Sequence, residues 1–271
     1  MKCRLLLVFV LAMSALAQDK PVAEKAPAAN AAAIVAQVRR ADYRDDRLAL
    51  KKLHDQLTPV AGPGEVASLI SYWRGFALWR RALNGFNDSA SRDDLEADLN
   101  GAVTDFEDAI AKNPASADAE SAEAGCLMSL LFIHQKEPEY LQDHIPKLQA
   151  LMKQAQAAEP DNPRVLWVLG GGLWYRPVQA AGGQQKAMET YQRGLEIAQR
   201  HPAKAGDPLQ PSWGEPELLM NLAWSNLNRT EPDLTAAGRY AQAALALVPD
   251  WHYVRDILIP QIDSARAKQH P

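Results

Sequence analysis

Residues 102–114 read AVTDFEDAIAKNP. A small side chain at Ala102, a bulky one at Phe106, a small one at Ala109 and a proline at 114 follow one another at helical spacing. Small residues one turn apart let a second helix approach closely, and the bulky residue between them fills the gap. Proline just beyond the last turn stops the helix from running on.

The same order returns along the chain. Residues 148–160, LQALMKQAQAAEP, carry it as Leu148, Met152, Ala155 and Pro160. Ala187, Tyr191 and Gly194 repeat it with a later proline, Pro202, and AAGRYAQAALALVP at 236–249 repeats it as Ala237, Ala241, Ala244 and Pro249. From 34 to 267 the spacing is amphipathic and helical, broken by Pro and Gly, without a period-2 strand signal.

These four stretches resemble the second helix of the tetratricopeptide repeat, a helix-turn-helix unit of about 34 residues. Matching first helices precede them, through Gly75, through Ala124 with Leu127, through Leu166, Leu169-Gly170 and Leu173, and through Leu222-Ala223 in NLAW. The resemblance covers about 65–250, with a degenerate helix pair at 34–58 before it and a capping helix from Trp251 to Lys268. It implies an all-α, right-handed solenoid whose first helices line a concave groove. The prolines stand 46, 42 and 47 residues apart (114, 160, 202 and 249), intervals that also suit HEAT or armadillo repeats. The tetratricopeptide unit is preferred because the surplus reads as inserts at 84–101, 134–147 and 201–214. Residues 162–198 also resemble a segment of uncharacterised exported bacterial repeat proteins, which brings no activity with it.

The N-terminus reads as a secretory signal. Lys2 and Arg4 precede an apolar run from Leu5 to Ala12, and Ala15-Leu16-Ala17 supplies a cleavage site before Gln18. The run is too short for a membrane span. The expected organisation is therefore signal peptide 1–17, flexible Ala/Pro-rich leader 18–33 and repeat domain 34–268, in a periplasmic or secreted protein. The full chain carries 29 Lys+Arg against 33 Asp+Glu, a net charge of −4. Losing Lys2 and Arg4 leaves 27 against 33, or −6. An acidic balance argues against nucleic acid. Cys3 leaves with the signal, so Cys126 stands alone among apolar neighbours and reads as a buried, inert thiol.

On the expected first helices one face repeats at i, i+4, i+7. It carries Tyr72, Phe76 and Trp79, then Ser121, Gly125 and Met128, then Trp167, Gly171 and Trp174, then Met220, Trp224 and Leu227. Arg80, Arg164, Tyr175 and Arg176 lie beside it. The candidate peptide-binding residues are Tyr72, Phe76, Trp79, Arg80, Arg164, Trp167, Trp174, Tyr175 and Trp224. An aromatic surface with arginines suits an extended peptide with apolar and acidic side chains. The competing reading is core, with the inserts folded back over the stripe.

Candidate chemistry is sparse. Gly170-Gly171-Gly172 matches neither a dinucleotide nor a phosphate-loop pattern. His134, Glu137, Glu139 and His144 lack a zinc spacing and read as a solvated loop. Asn87-Asp88-Ser89 and Asn228-Arg229-Thr230 are glycosylation sequons in form. The sequence thus points to an exported protein- or peptide-binding scaffold, without cofactor, metal or enzymatic activity. The alternatives are an envelope assembly or oligomerisation subunit, or a metal-dependent hydrolase built on the inserts.

Overall fold

In the computed structural model, residues 25–59, 64–202 and 207–269 are described, and the expected signal and cleavage site lie outside them. The described residues form eleven α-helices and no strand. They are α1 (Lys25–Tyr43), α2 (Arg47–Gln56), α3 (Glu65–Asn87), α4 (Arg92–Lys112), α5 (Ala117–Ile133), α6 (Pro138–Ala158), α7 (Pro163–Tyr175), α8 (Gln184–Arg200), α9 (Glu215–Asn228), α10 (Leu234–Leu247) and α11 (Ile259–Gln269). A wide π-helical turn, Tyr253–Leu258, leads into α11. None of these helices is long and apolar enough to cross a membrane.

Polar residues start the helices and prolines follow their ends. Asp46, Ser91, Ser116, Asn162 and Asp233 each accept a hydrogen bond from a backbone N–H of the first turn. Asn113, Glu159, His201 and Val248 cap the C-termini of α4, α6, α8 and α10. Pro114, Pro160, Pro202 and Pro249 come immediately after them, where the spacing places a stop.

Packing follows the small-bulky-small order. Ala102, Phe106 and Ala109 on α4 are fully buried, as are Ala237, Ala241 and Ala244 on α10. Gly75 on α3 lies under the Phe106 ring, where an added Cβ would meet ring carbons at 3.0 Å. Gly170 on α7 lies under Tyr191, and a Cβ there would come within 2.3 Å. The glycines of α3 and α7 thus permit helix pairs that a larger residue would wedge apart. Each helix packs on its successor, and α1, α3, α5, α7 and α9 touch one another in turn, which gives the array a shared inner face.

Several boundaries differ from expectation. The surplus length lies mainly within helices, not connections. The expected insert 84–101 is the end of α3, a turn at 88–91 and the start of α4. Ser91 caps α4, and Asp93 with Asp94 sits favourably at its positive end. The expected insert and solvated loop 134–147 is largely α6, which starts with Pro138 at a position needing no N–H and tolerates Pro146 on its exposed side. The expected leader contributes to α1, which begins at Lys25 rather than Ile34, and Ala31 packs into the core beside Val35 and Val38. Alanine-rich sequence is strongly helix-forming once one face has somewhere to pack.

The array curls until its ends meet. Tyr43 at the end of α1 packs edge-on against Trp251, with ring centroids 5.0 Å apart, and its hydroxyl donates to Glu217 Oε1 at 2.7 Å. Arg44 Nε donates to Asp250 Oδ2 at 2.6 Å. At the C-terminal end, α11 covers α10 with Ile262 and turns polar residues outward.

Candidate functional site

The inner face is filled along part of its length by the chain itself. Residues 207–214 lie across the face and bury Leu209 and Trp213. Trp213 stacks edge-on or tilted against Phe76, Trp79 and Trp167 at centroid distances of 5.5, 6.1 and 5.6 Å. Its Nε1 donates to the Tyr72 hydroxyl at 2.8 Å, and Trp73 Nε1 donates to the Leu209 carbonyl at 2.6 Å. Tyr72, Phe76 and Trp79 are therefore core side chains with no open surface. Arg164 belongs to the same plug. It grips Asp118 through Nε at 2.6 Å and reaches the Trp213 carbonyl at 3.4 Å.

Beyond the plug the face opens into a pocket of about 280 Å³. It is lined from α3 by Arg80, Leu83, Asn84 and Asn87, from α7 by Trp167, Gly171, Trp174 and Tyr175, and from α9 by Met220, Asn221 and Trp224. Tyr191, Trp251 and Tyr253 complete it. The structure thus brings Arg80, Trp167, Trp174, Tyr175 and Trp224 together. It leaves Tyr72, Phe76 and Trp79 behind Trp213, and Arg164 lies on the other side of Trp213, half-buried and facing a separate pocket. Trp174 and Trp224 meet edge-on at 5.1 Å, and Tyr175 stands at the mouth, 79% exposed.

Polar contacts hold part of the walls. Asn221 Nδ2 donates to the Tyr191 hydroxyl at 2.8 Å, while its Oδ1 accepts from Trp167 Nε1 at 3.1 Å. Asn84 Nδ2 donates to the Asp42 carbonyl at 3.0 Å. Arg80, 4% exposed, donates through Nε to Asp42 Oδ1 at 2.8 Å, and its guanidinium carbon lies 5.7 and 5.9 Å from the Phe76 and Trp167 ring centroids. Arg80 Nη1 has no hydrogen-bond partner. Burial pushes the Tyr253 hydroxyl up to about 12, with the Tyr175 hydroxyl adding to the effect. Burial likewise raises the Tyr191 hydroxyl.

Trp213, Tyr191, Asn221, Trp251 and Tyr253 were not among the sequence candidates. Trp213 had one legible sign, a tryptophan with a leucine four residues before it inside a Pro-rich linker. Trp251 and Tyr253 fall outside the repeating pattern and reach the pocket only because the ends meet. Of the other motifs, Gly170-Gly171-Gly172 lies inside α7. His134, Tyr140 and His144 stack in parallel at centroid distances of 3.8 and 3.9 Å, and no cluster of three metal-capable side chains forms among the described residues. Cys126 is fully buried, and burial raises its thiol well above the usual range.

No family model matches the chain. No curated protein matches it in sequence either. Among solved structures, the HusA haemophore from Porphyromonas gingivalis has a similar fold, with a TM-score of 0.56 over 75% of this chain and 97% of that one, at 17% identity.

Proposed function

We propose that this chain is a non-catalytic binding protein on a tetratricopeptide-like array, exported to the periplasm or beyond. In this reading the pocket between α3, α7, α9 and Trp251 receives an aromatic group of a partner protein or peptide. The observation that carries it is the abrupt change along one aromatic face. Tyr72, Phe76 and Trp79 are closed by the chain's own Trp213, whereas Trp167, Trp174, Tyr175 and Trp224 border open space. The glycine-under-ring pairs Gly75–Phe106 and Gly170–Tyr191, and the prolines after each second helix, support the repeat assignment. At about 280 Å³ the pocket falls just under the usual range for a whole small ligand and suits one ring of something larger. Aromatic walls on a rigid frame are the usual basis of such a hot spot.

A peptide panel rich in Trp, Tyr and Phe, screened against the wild type and against Trp174→Ala and Trp224→Ala, tests this reading. Aromatic peptides should bind the wild type and lose at least about tenfold on either variant, with helicity unchanged. Equal binding to all three proteins would place the partner elsewhere.

A second reading has one specific support, the similar fold of a protein called a haemophore. Flat indole and phenol walls would also accept the edge of a porphyrin. A haemin titration followed in the Soret region distinguishes the two, since a saturable band shift lost in Trp224→Ala supports the porphyrin.

A further inference from the structure

A second open space lies on the other side of α7 from the aromatic pocket. Trp167, Gly171 and Trp174 line the pocket, whereas Leu169 and Leu173 floor a cleft of about 920 Å³ between α6 and α8. The cleft exists because one joint of the array is loose. At the other joints the second helix of a pair packs closely on the next first helix, but α6 touches α7 only slightly. Lys147 of α6 pairs with Glu107 of α4 and with the buried Glu123 of α5, each at 2.6 Å, and so holds α6 on the preceding pair. Met128, Leu148 and Met152, buried or half-buried, complete the apolar lining.

The rim is basic in an acidic chain. Lys153 stands on the α6 wall, Arg176 at the end of α7, and Lys186 and Arg193 on the α8 wall. All four are exposed, against the single acid Glu189. Lys186 pairs with Glu189 and Arg193 with Asp161, both on the surface, while Lys153 and Arg176 form no ion pair among the described residues. Exposed pairs of this kind are weak, so these cations stay available to a partner. Lys186 and Arg193 stand two helical turns apart, about 10 Å along α8. That spread exceeds one small anion and matches two acids placed two turns apart on a helix.

We infer that this cleft docks an amphipathic helix of a partner protein, with its apolar stripe on α7 and acidic side chains toward both walls. A helix carries its apolar stripe between two polar flanks, and the cations of α6 and α8 stand on the two sides of the floor. An extended segment would turn alternate side chains to the floor and to solvent. It would also leave its backbone unpaired, because no strand edge exists among the described residues to receive it. A flat anionic bilayer meets the exposed rim but not the apolar side chains recessed beneath it. The surface is separate from the aromatic pocket, and its test does not depend on that reading.

Three labelled peptides of about four helical turns, titrated by fluorescence anisotropy, supply the test. The first sets leucines at i, i+3, i+4, i+7 between glutamates, the second replaces each Glu by Lys, and the third rearranges the first into strict Leu/Glu alternation. The acidic helical peptide should bind at roughly 10 μM in about 50 mM salt and weaken about tenfold in about 500 mM. The other two should bind at least about tenfold more weakly. The double variant Lys153→Glu, Lys186→Glu, at exposed positions on facing walls, should lose about tenfold in affinity for the first peptide, with helicity unchanged. Trp224→Ala should leave that affinity as it is. If the double variant loses helicity, the ranking of the three peptides and its salt dependence decide. Equal binding of the acidic and basic peptides would overturn the charge match, and tightest binding of the alternating peptide would overturn the helix. Unchanged affinity in the double variant, or a loss in Trp224→Ala, would place the peptide outside the cleft. Binding to phosphatidylglycerol vesicles without binding to any peptide would overturn a protein partner. A dimer in sedimentation that the double variant abolishes, without peptide binding, would make a second copy of this chain the occupant instead.

Discussion

Individual side chains decide which part of the inner face is solid and which is open. Trp213 is 4% exposed and touches four aromatic rings or hydroxyls, so Trp213→Ala should cost about 3–5 kcal/mol in urea unfolding. A loss under about 1 kcal/mol would mean that residues 207–214 rest on the surface. Periodicity alone could not separate Phe76 from Trp174, because both recur at i, i+4, i+7 on first helices. What separates them is a residue from a Pro-rich connection with no period at all. Asp45 shows a different residue-scale effect. It sits at positive φ (59°), beside Asp88 and Arg47 and with His252 Nε2 at 3.7 Å, and burial followed by the Asp88 charge pushes its carboxyl from 3.8 to about 6. The native state therefore binds the proton more tightly than the unfolded chain. The stability it adds is complete below about pH 4 and is lost as pH rises through about 6. Asp45→Asn keeps a side chain suited to positive φ and removes the titration. It should be about 1–2 kcal/mol more stable than wild type at pH 8 and nearly equal at about pH 3.5, read by chemical denaturation.

At the scale of the helix, the repeating order was legible and helix length was not. Residues 84–101, NGFNDSASRDDLEADLNG, look polar enough to be an insert, yet Leu95 and Leu99 continue the spacing of Ala102, Phe106 and Ala109 back toward Ser91. Two leucines suffice because α4 packs between α3 and α5 and needs only a narrow apolar stripe. The start of α4 then depends on its cap. Ser91 accepts from the Asp94 N–H at 3.1 Å, so Ser91→Ala should destabilise the protein by about 1 kcal/mol. Ser91→Asp should restore it, since a carboxylate accepts the same bond and opposes the helix dipole. Failure of the aspartate to recover stability would show that the turn at 88–91, rather than the cap, sets the boundary. The His134–Tyr140–His144 stack makes the same point about α6. The segment from Pro138 onward is a helix because one proline begins it and Pro146 faces solvent.

The whole molecule differs from a linear stack of helices because the end of α1 touches α9 and the turn after α10. In a linear stack each unit contacts only its neighbours, and the ends unravel first. Here Tyr43 bridges from α1 to Trp251 and Glu217, and Arg44 reaches Asp250. No repeat pattern encodes such closure, because it joins residues about 200 positions apart through contacts made once. The two contacts carry very different weight. The Arg44–Asp250 pair is about half exposed on both sides, so Arg44→Ala should change stability by less than about 1 kcal/mol. Trp251 is 3% exposed, and its removal opens a cavity between the ends. Closure of this kind couples the two termini. Hydrogen exchange on Trp251→Ala should therefore accelerate at the C-terminal turn of α1 as well as in α10 and the π-helical turn, while α4 and α5 keep their protection. Acceleration confined to the residues around 251 would show that each end is stable without the other. The same variant removes one wall of the pocket, so loss of aromatic binding together with release of α1 would tie ligand affinity to closure of the array.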